Sequence, residues 1–381
     1  MKLDENKKTV CVIFGGVSPE HDISIITGVQ TLHALDENRF NILPIYISKE
    51  GKFILNKDFF DISLFSKLDK INGNNVSFLP NGKLFVTKGK KGKELCHIDF
   101  AFLSLHGGGG EGGEVQGLLD CVGIPYSCAG VLGSAISQSK TLTKDICSSL
   151  NIPQIKYVTI FENEKDDYLS KIKDLTYPLI VKPATLGSSI GITICKDEND
   201  LKDALSFAFL FDKEVIIEQK LTEFVELNMS FIGNSFQVEN SSVEDVTNSE
   251  AFLSFEDKYL GGNKKGMENL NREIVEIDSK IYQKMVEYGK SLFKHLSLKG
   301  VVRIDYLLDK SDNTLYVNEI NSIPGSMANY LWQGKYTFRA LLNKVYDLSI
   351  EERNSKNKKI TEFSSSVLSS FSSAPKIFIN K

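Results

Sequence analysis

The chain has 381 residues, 41% hydrophobic and 25% charged, with a formal net charge of −4. That length exceeds what one core organises, so two or three domains or subdomains are expected, and the mildly acidic balance excludes the basic footprint of a nucleic-acid-binding protein. The opening MKLDENKKTV has no apolar h-region, no apolar run reaches membrane-spanning length, and the six cysteines lack CxxC spacing, so the chain reads as cytoplasmic, without disulfides or a zinc site.

In chain order, residues 9–14 (TVCVIF) read as a strand buried on both faces. The loop GGVSPEHD follows, and then a helix over about residues 23–34 with Asp22 or Ser24 as its cap. Strand, Gly-rich loop and helix open a doubly wound α/β unit, in which ligands sit at the carboxyl ends of strands. The GxGxxG of a dinucleotide site is absent, which ranks a dehydrogenase low. Glu20 taken alone is a helix-start carboxylate meeting the macrodipole. Residues 41–47 form a second strand, and residues 50–95 read as an insertion of short strands and loops. Residues 98–105 form a third buried strand that runs into HGGGGEGGEVQG, where residues without Cβ let the backbone approach a ligand. His106 stands at that strand end, where an isolated His is more often a hydrogen-bonded structural residue. Residues 118–122 continue as helix, and 124–126 begin another short strand.

Residues 133–150 read as one amphipathic helix containing Lys140, after which the composition turns β-rich. Residues 178–183 are a strand that carries Lys182 near its end, residues 184–191 (ATLGSSIG) a small-residue loop, and 192–195 the returning strand. A P-loop would need GK[ST] opening a helix. Here a flap can instead fold over a triphosphate, its backbone N–H groups donating to phosphate oxygens and its glycines allowing it to open. Residues 214–218 (EVIIE) are a strand, residues 228–232 and 235–240 complete a meander, and 245–272 form a polar loop long enough to be a lid or binding loop. A helix spans 279–296. A helix-like run follows residue 325 as far as 348, and residues 364–373 are low-complexity.

Residues 300–325 (GVVRIDYLLDKSDNTLYVNEINSIPG) read as two strands around a polar turn. Side chains alternate along a strand, so Arg303 and Asp305 share a face, as do Glu319 and Asn321, and pairing can bring all four together. Two carboxylates and an amide oxygen beside a cation suit Mg²⁺ held between protein and nucleotide phosphates. Arg303 lies where negative charge gathers in phosphoryl or acyl transfer.

The run RID…NEINSIPG resembles the metal-binding end of the D-alanine–D-alanine ligase family of the ATP-grasp superfamily. GGVSPEH resembles that family's GG-x-S-x-E-H, and HGGGGEGGEVQG its HG-x-x-GEDG-x-x-QG, with Gly112 where Asp is usual. The resemblance covers about residues 8–348. It implies an α/β ATP-grasp fold of three subdomains: an N-terminal doubly wound unit (1–133), a central unit with a phosphate lid (134–240) and a C-terminal unit with the metal site (241–348); the low-complexity tail (349–381) is this sequence's own feature.

By the same resemblance Lys140 and Lys182 are phosphate ligands, with Gly187 and Ser189 in the lid. Glu218 meets the adenine amino group and Glu226 the ribose, although one extra residue separates the two acids. Glu20, Ser188 and Tyr259 orient the first substrate, with Lys258 in the same loop as Tyr259. His106 and Gly325 contact substrate, and Arg303 stabilises an oxyanion. Asp305, Glu319 and Asn321 hold Mg²⁺ or Mn²⁺. The implied reaction joins two D-amino acids with ATP through an acyl phosphate, for peptidoglycan, and a homodimer is a family-level expectation. Alternatives are a related ligase taking D-serine, D-lactate or another amino acid as acceptor, and a non-catalytic nucleotide sensor. Where the family supplies a small hydroxyl residue to the acceptor's carboxylate, this chain has Tyr330, with Asn329 and Ser326 as other candidates.

Overall fold

The structure is a computed structural model that describes residues 3–68, 71–88, 91–165, 167–246 and 273–360. Its first sheet is built on β1 (Lys8–Gly15), whose apolar residues alternate between two cores. Val10, Val12 and Phe14 face one core, and Cys11 and Ile13 face the other. After β1 come α1 (His21–Ala34), β2 (Phe40–Ile47), β3 (Phe53–Leu55), β4 (Asn74–Leu79), β5 (Lys83–Lys88), β6 (Lys91–His97) and β7 (Phe100–Leu105). The strand order is β6-β5-β4-β3-β2-β1-β7, with β1 parallel to both β2 and β7. The expected insertion therefore extends the sheet by four antiparallel strands.

The start of α1 differs from expectation. Its N-cap is Glu20, with no side-chain cap. Ser24 instead accepts from the Gly15 N–H at 2.9 Å and donates to the Ser104 carbonyl at 2.7 Å, which pins the helix start to β1 and β7. Beyond β7 lie α2 (Gly108–Glu111) and α3 (Glu114–Val122). The expected strand at 124–126 is a single bridge between Tyr126 and Ala101.

The helix expected over 133–150 is two, α4 (Val131–Gln138) and α5 (Lys140–Ser149). Ser139 is extended between them, and its side chain accepts from the Leu142 N–H. A serine that hydrogen-bonds the backbone locally ends one helix and caps the next. The apolar period runs through the break, which hides it. The break sets Lys140 at the first position of α5, where its N–H donates to the Ala184 carbonyl at 2.9 Å.

The second sheet, in order β10-β9-β11-β8, holds β8 (Tyr157–Phe161), β9 (Leu179–Pro183), β10 (Thr193–Cys195) and β11 (Glu214–Gln219). The short α6 (Tyr168–Lys171) precedes β9, and α7 (Glu198–Ala208), capped by Asp197, precedes β11. The third sheet, in order β14-β13-β12-β15-β16, contains β12 (Phe224–Gly233), β13 (Val238–Asp245), β14 (Glu273–Val275), β15 (Gly300–Asp309) and β16 (Leu315–Asn321). β12 pairs with β15 along its whole length, so β12 and β13 share a sheet with the β15–β16 hairpin. Between β14 and β15, α8 (Ser279–His295) packs on this sheet. Gly289 lies so close to the Phe231 ring that a Cβ there would overlap it.

The helix-like run expected after residue 325 is also broken. A 3₁₀ segment, Gly325–Trp332, includes Ser326, Met327 and Ala328 at φ of 50°, 48° and 48°, and α9 (Phe338–Asn357) follows, crossing the expected boundary at 348. Three consecutive left-handed residues without a glycine leave no compositional mark. Leu341, Leu342 and Val345 of α9 enter the core of the first sheet beside Phe40, Phe100 and Phe102, which fixes the C-terminal part against the N-terminal one. All six cysteines are free. Among the described residues no helix is long and apolar enough to cross a membrane.

Candidate active site

In the β15–β16 hairpin Asp305 stands opposite Glu319 and Arg303 opposite Asn321. The alternation inferred from sequence therefore places all four on one patch. Arg303 donates through Nε and Nη2 to both Asp305 oxygens, at 2.6 and 2.7 Å, and Asn321 Nδ2 donates to Asp305 Oδ2 at 3.1 Å. Burial raises the Asp305 carboxyl above its usual range against the pull of Arg303. Burial would raise Glu319 as well, but Lys140, Arg303 and Lys182 together hold it below the ordinary carboxylate range. That electrostatic reach joins three distant parts of the chain.

The opposing wall comes from the second sheet and α5. Lys182 on β9 forms an ion pair with Glu218 Oε2 on β11, and Lys144 Nζ lies 2.7 Å from Glu218 Oε1. Burial alone would raise Glu218, yet Lys182 and Lys144 hold its carboxyl down at about 2. Lys140 donates to the Leu186 carbonyl in the loop between β9 and β10. Burial lowers the Lys140 ammonium, opposed chiefly by Glu319.

That loop carries Gly187, Ser188 and Ser189. The two serines are left-handed, at φ of 51° and 59°. Ser188 Oγ donates to Glu20 Oε1, and a Cβ on Gly187 would stand 3.2 Å from Glu20 Oε2, so the loop lies against the β1–α1 turn. Glu20 is raised by burial, opposed by the Ser188 hydroxyl. His106 at the end of β7 is buried against Thr27 Oγ1 at 2.8 Å, and burial lowers it to about 4. Glu111 accepts from the Gly107 N–H at 3.0 Å, and burial together with neighbouring Glu20 pushes it up to about 7. The Ile323 backbone hydrogen-bonds both His106 and Glu111, joining this loop to the turn after the hairpin.

Gly112, the departure from the family pattern, has ordinary right-handed dihedrals. What it lacks is room. A Cβ there would overlap Gln138 Oε1, while Gln138 Nε2 donates to the Gly108 carbonyl at 3.2 Å. Gln138 occupies the space that an Asp side chain would need.

Around the third candidate region, Gly325 borders open space, with no atom within 4 Å of a Cβ placed on it. Ser326 N–H donates to Thr27 Oγ1 at 3.1 Å and its hydroxyl to Gln30 Oε1 at 2.7 Å, while Asn329 donates to the Ser326 carbonyl at 2.8 Å. Both polar side chains are thus turned to internal bonds. Tyr330 is half-buried against the first core and close enough to Arg303 to act on its charge. Glu226 is half-buried on β12 opposite Leu307. Lys258 and Tyr259 lie outside the described residues.

The sequence reading missed Lys144, Glu111 and Thr27. Lys144 follows Lys140 by one helical turn, a spacing that puts both on one face of α5. Glu111 is a lone acid inside the glycine run.

Comparison with known proteins gives a consistent result. A family model for the D-ala D-ala ligase N-terminus matches residues 9–129, and one for the D-ala D-ala ligase C-terminus matches residues 146–342. The chain is 35% identical over 362 residues to a D-alanine–D-alanine ligase of Thermosipho africanus, covering 92% of this chain and 95% of that one. It resembles the solved D-alanine–D-alanine ligase from Coxiella burnetii with a TM-score of 0.79 at 22% identity, covering 96% of this chain and 98% of that one. It also resembles the VanG D-Ala:D-Ser ligase of Enterococcus faecalis, with a TM-score of 0.75 at 26% identity and coverage of 90% and 99%.

Proposed function

The chain belongs to the D-alanine–D-alanine ligase family, and from that premise we propose how its own residues carry the reaction. It is an ATP-dependent ligase that joins two D-alanines for peptidoglycan precursor synthesis. The carboxylate of the first D-alanine attacks the γ-phosphorus and ADP leaves. The amine of the second then attacks the acyl phosphate carbon, releasing phosphate.

Lys140 and Lys182 bind the triphosphate, and backbone N–H groups of Gly187 and Ser189 donate to its oxygens. Glu218 meets the adenine amino group and Glu226 the ribose hydroxyls, as acceptors. Glu20, oriented by Ser188, receives the ammonium of the first substrate, with His106 beside it, and the family resemblance assigns Lys258 and Tyr259 to the same substrate. Arg303 stabilises the oxyanion that forms when the second amine attacks. Gly325 and Tyr330 border the acceptor.

Asp305, Glu319 and the Asn321 amide oxygen are hard donors on a patch where acids outnumber Arg303, and they fit Mg²⁺ or Mn²⁺. A bound divalent ion would neutralise phosphate charge there. The observation that carries this reading is the placement of Glu319 within reach of Lys140, Arg303 and Lys182 at once. A cytoplasmic location and a homodimer belong to the same proposal, and sedimentation of the purified chain checks the second.

The test is ADP release with ATP, Mg²⁺ and a panel of D-amino acids, with products read by mass spectrometry. D-alanine alone is expected to yield the D-alanyl dipeptide, and no ADP release with D-alanine overturns the reading. Tyr330 beside Arg303 favours a second reading, an acceptor such as D-serine or D-lactate. Mixed dipeptide or depsipeptide outrunning D-alanyl-D-alanine in the same panel would establish it.

A further inference from the structure

Glu218 and Lys144 are each only 2% exposed, and Glu218 gives one oxygen to Lys144 and the other to Lys182. The mechanism above needs Lys182 on phosphate. A lysine that leaves for a ligand abandons its former partner, and a buried carboxylate stripped of its only cation is strongly unfavourable. Two buried cations on one acid remove that difficulty.

We propose that Lys144 is a positioning residue of the nucleotide site, the fixed counter-cation that lets Lys182 exchange Glu218 for the nucleotide's phosphate. Lys144 is suited to stay behind. It sits in the middle of α5, with Nζ 3.4 Å from Gln154 Oε1 and 5.3 Å from the centre of the Tyr157 ring. Tyr157 is itself anchored by donating to Asp145 at 2.6 Å. Lys182 has the freer position, with 10% of its side chain exposed at the end of β9. When Lys182 departs, Glu218 Oε2 is released to accept from the adenine amino group. Phosphate and base recognition are then coupled through one carboxylate. One face of α5 thus carries two lysines with different tasks, Lys140 toward the lid and Lys144 toward Glu218.

The proposal rests on the nucleotide reading given above, and calorimetry separates the two. Wild-type protein that fails to bind ATP overturns the nucleotide reading and this proposal with it. If the wild type binds, the decisive quantity is the ratio of ATP to adenosine affinity. Lys144→Met keeps the length and removes the charge, so Lys182 must remain on Glu218. The ratio is expected to fall about tenfold or more, because a phosphate ligand is withheld while the base site stays. Lys144→Arg restores most of it. Adding Glu218→Gln to Lys144→Met removes the charge that needed balancing and brings the ratio back toward that of wild type, although adenosine itself binds more weakly. A merely structural lysine would give the opposite pattern, with both ligands losing affinity equally in Lys144→Met and the second substitution adding to the loss. Either result overturns the proposal. If Lys144→Met does not fold, the charge-neutral double variant decides alone, and a ratio about tenfold below wild type counts against the proposal.

Discussion

Two buried charge clusters face each other across the site, and they are built on opposite principles. In the wall formed by β9, β11 and α5, cations are in excess. Lys140, Lys144 and Lys182 surround Glu218, whose two oxygens are divided between two lysines and whose carboxyl is held at about 2. In the β15–β16 hairpin, acids are in excess. Arg303 takes both oxygens of Asp305, while Glu319 and Glu244 add negative charge nearby, and burial leaves Asp305 raised. A cation-rich wall lacks an anion and an acid-rich wall lacks a cation. Under the proposed function a triphosphate carrying a divalent ion would supply both, and neither cluster would need to be neutral by itself.

The strongest test of this complementarity removes charge from the acid-rich side. Asp305→Asn and Glu319→Gln keep volume and should each lower turnover by about 10²–10³-fold without unfolding, the scale of losing one fixed transition-state charge stabiliser. Near-normal ADP release at saturating Mg²⁺ in either variant would break the comparison there.

On the cation-rich side, Lys182→Ala should weaken ATP by roughly ten- to a hundredfold and adenosine far less, because its proposed ligand is phosphate. Equal losses by calorimetry would show that this wall does not read phosphate.

Tyr330 sharpens the acid-rich side from its rim. Tyr330→Phe should raise the acceptor KM by a factor corresponding to roughly 1.5–3 kcal/mol, the worth of a hydrogen bond to a charged group, with ATP affinity little changed. Unchanged acceptor kinetics in the folded variant would return Tyr330 to the core.

The smallest effect concerns Glu111, which belongs to neither cluster. Its carboxyl ionises at about 7 in the folded chain against an ordinary 4.5. Between those values the unfolded chain has lost the proton and the folded chain keeps it, so stability is full below pH 4.5 and is lost as pH rises through 7. The slope approaches about 1.4 kcal/mol per pH unit within that window. Glu111→Gln should flatten it in denaturant titrations, and an unchanged slope would assign the pH dependence elsewhere.

What could be read from sequence follows the range of the physics involved. The hairpin was legible because strand alternation and turn chemistry are local, and they place Arg303, Asp305, Glu319 and Asn321 together without further information. The strand–loop–strand around Ser188 was legible for the same reason. Ser139 was not, because a helix break that preserves the apolar period leaves the pattern intact. The turn at Ser326–Ala328 was hidden because it is left-handed without glycine. Lys144 falls in a stretch read only as amphipathic helix, and its contact with Glu218 depends on β11, a strand remote in sequence that no local pattern connects to it. Lys258 and Tyr259 keep only the standing that their motif gives them.

The fit between Gly112 and Gln138 bears on the routes by which this sequence can change. The amide fills the volume that a carboxylate at 112 would claim. Installing Gly112→Asp alone forces Gln138 out and breaks its bond to Gly108. Trimming Gln138 alone leaves that carbonyl its bond from the Gly112 N–H at 2.9 Å. Gln138 Oε1 is the far end of a flexible side chain that can turn aside, so the first step costs one amide hydrogen bond and the second leaves the backbone bond in place. An acid at 112 is therefore open to descendants of this chain without a matching change at 138.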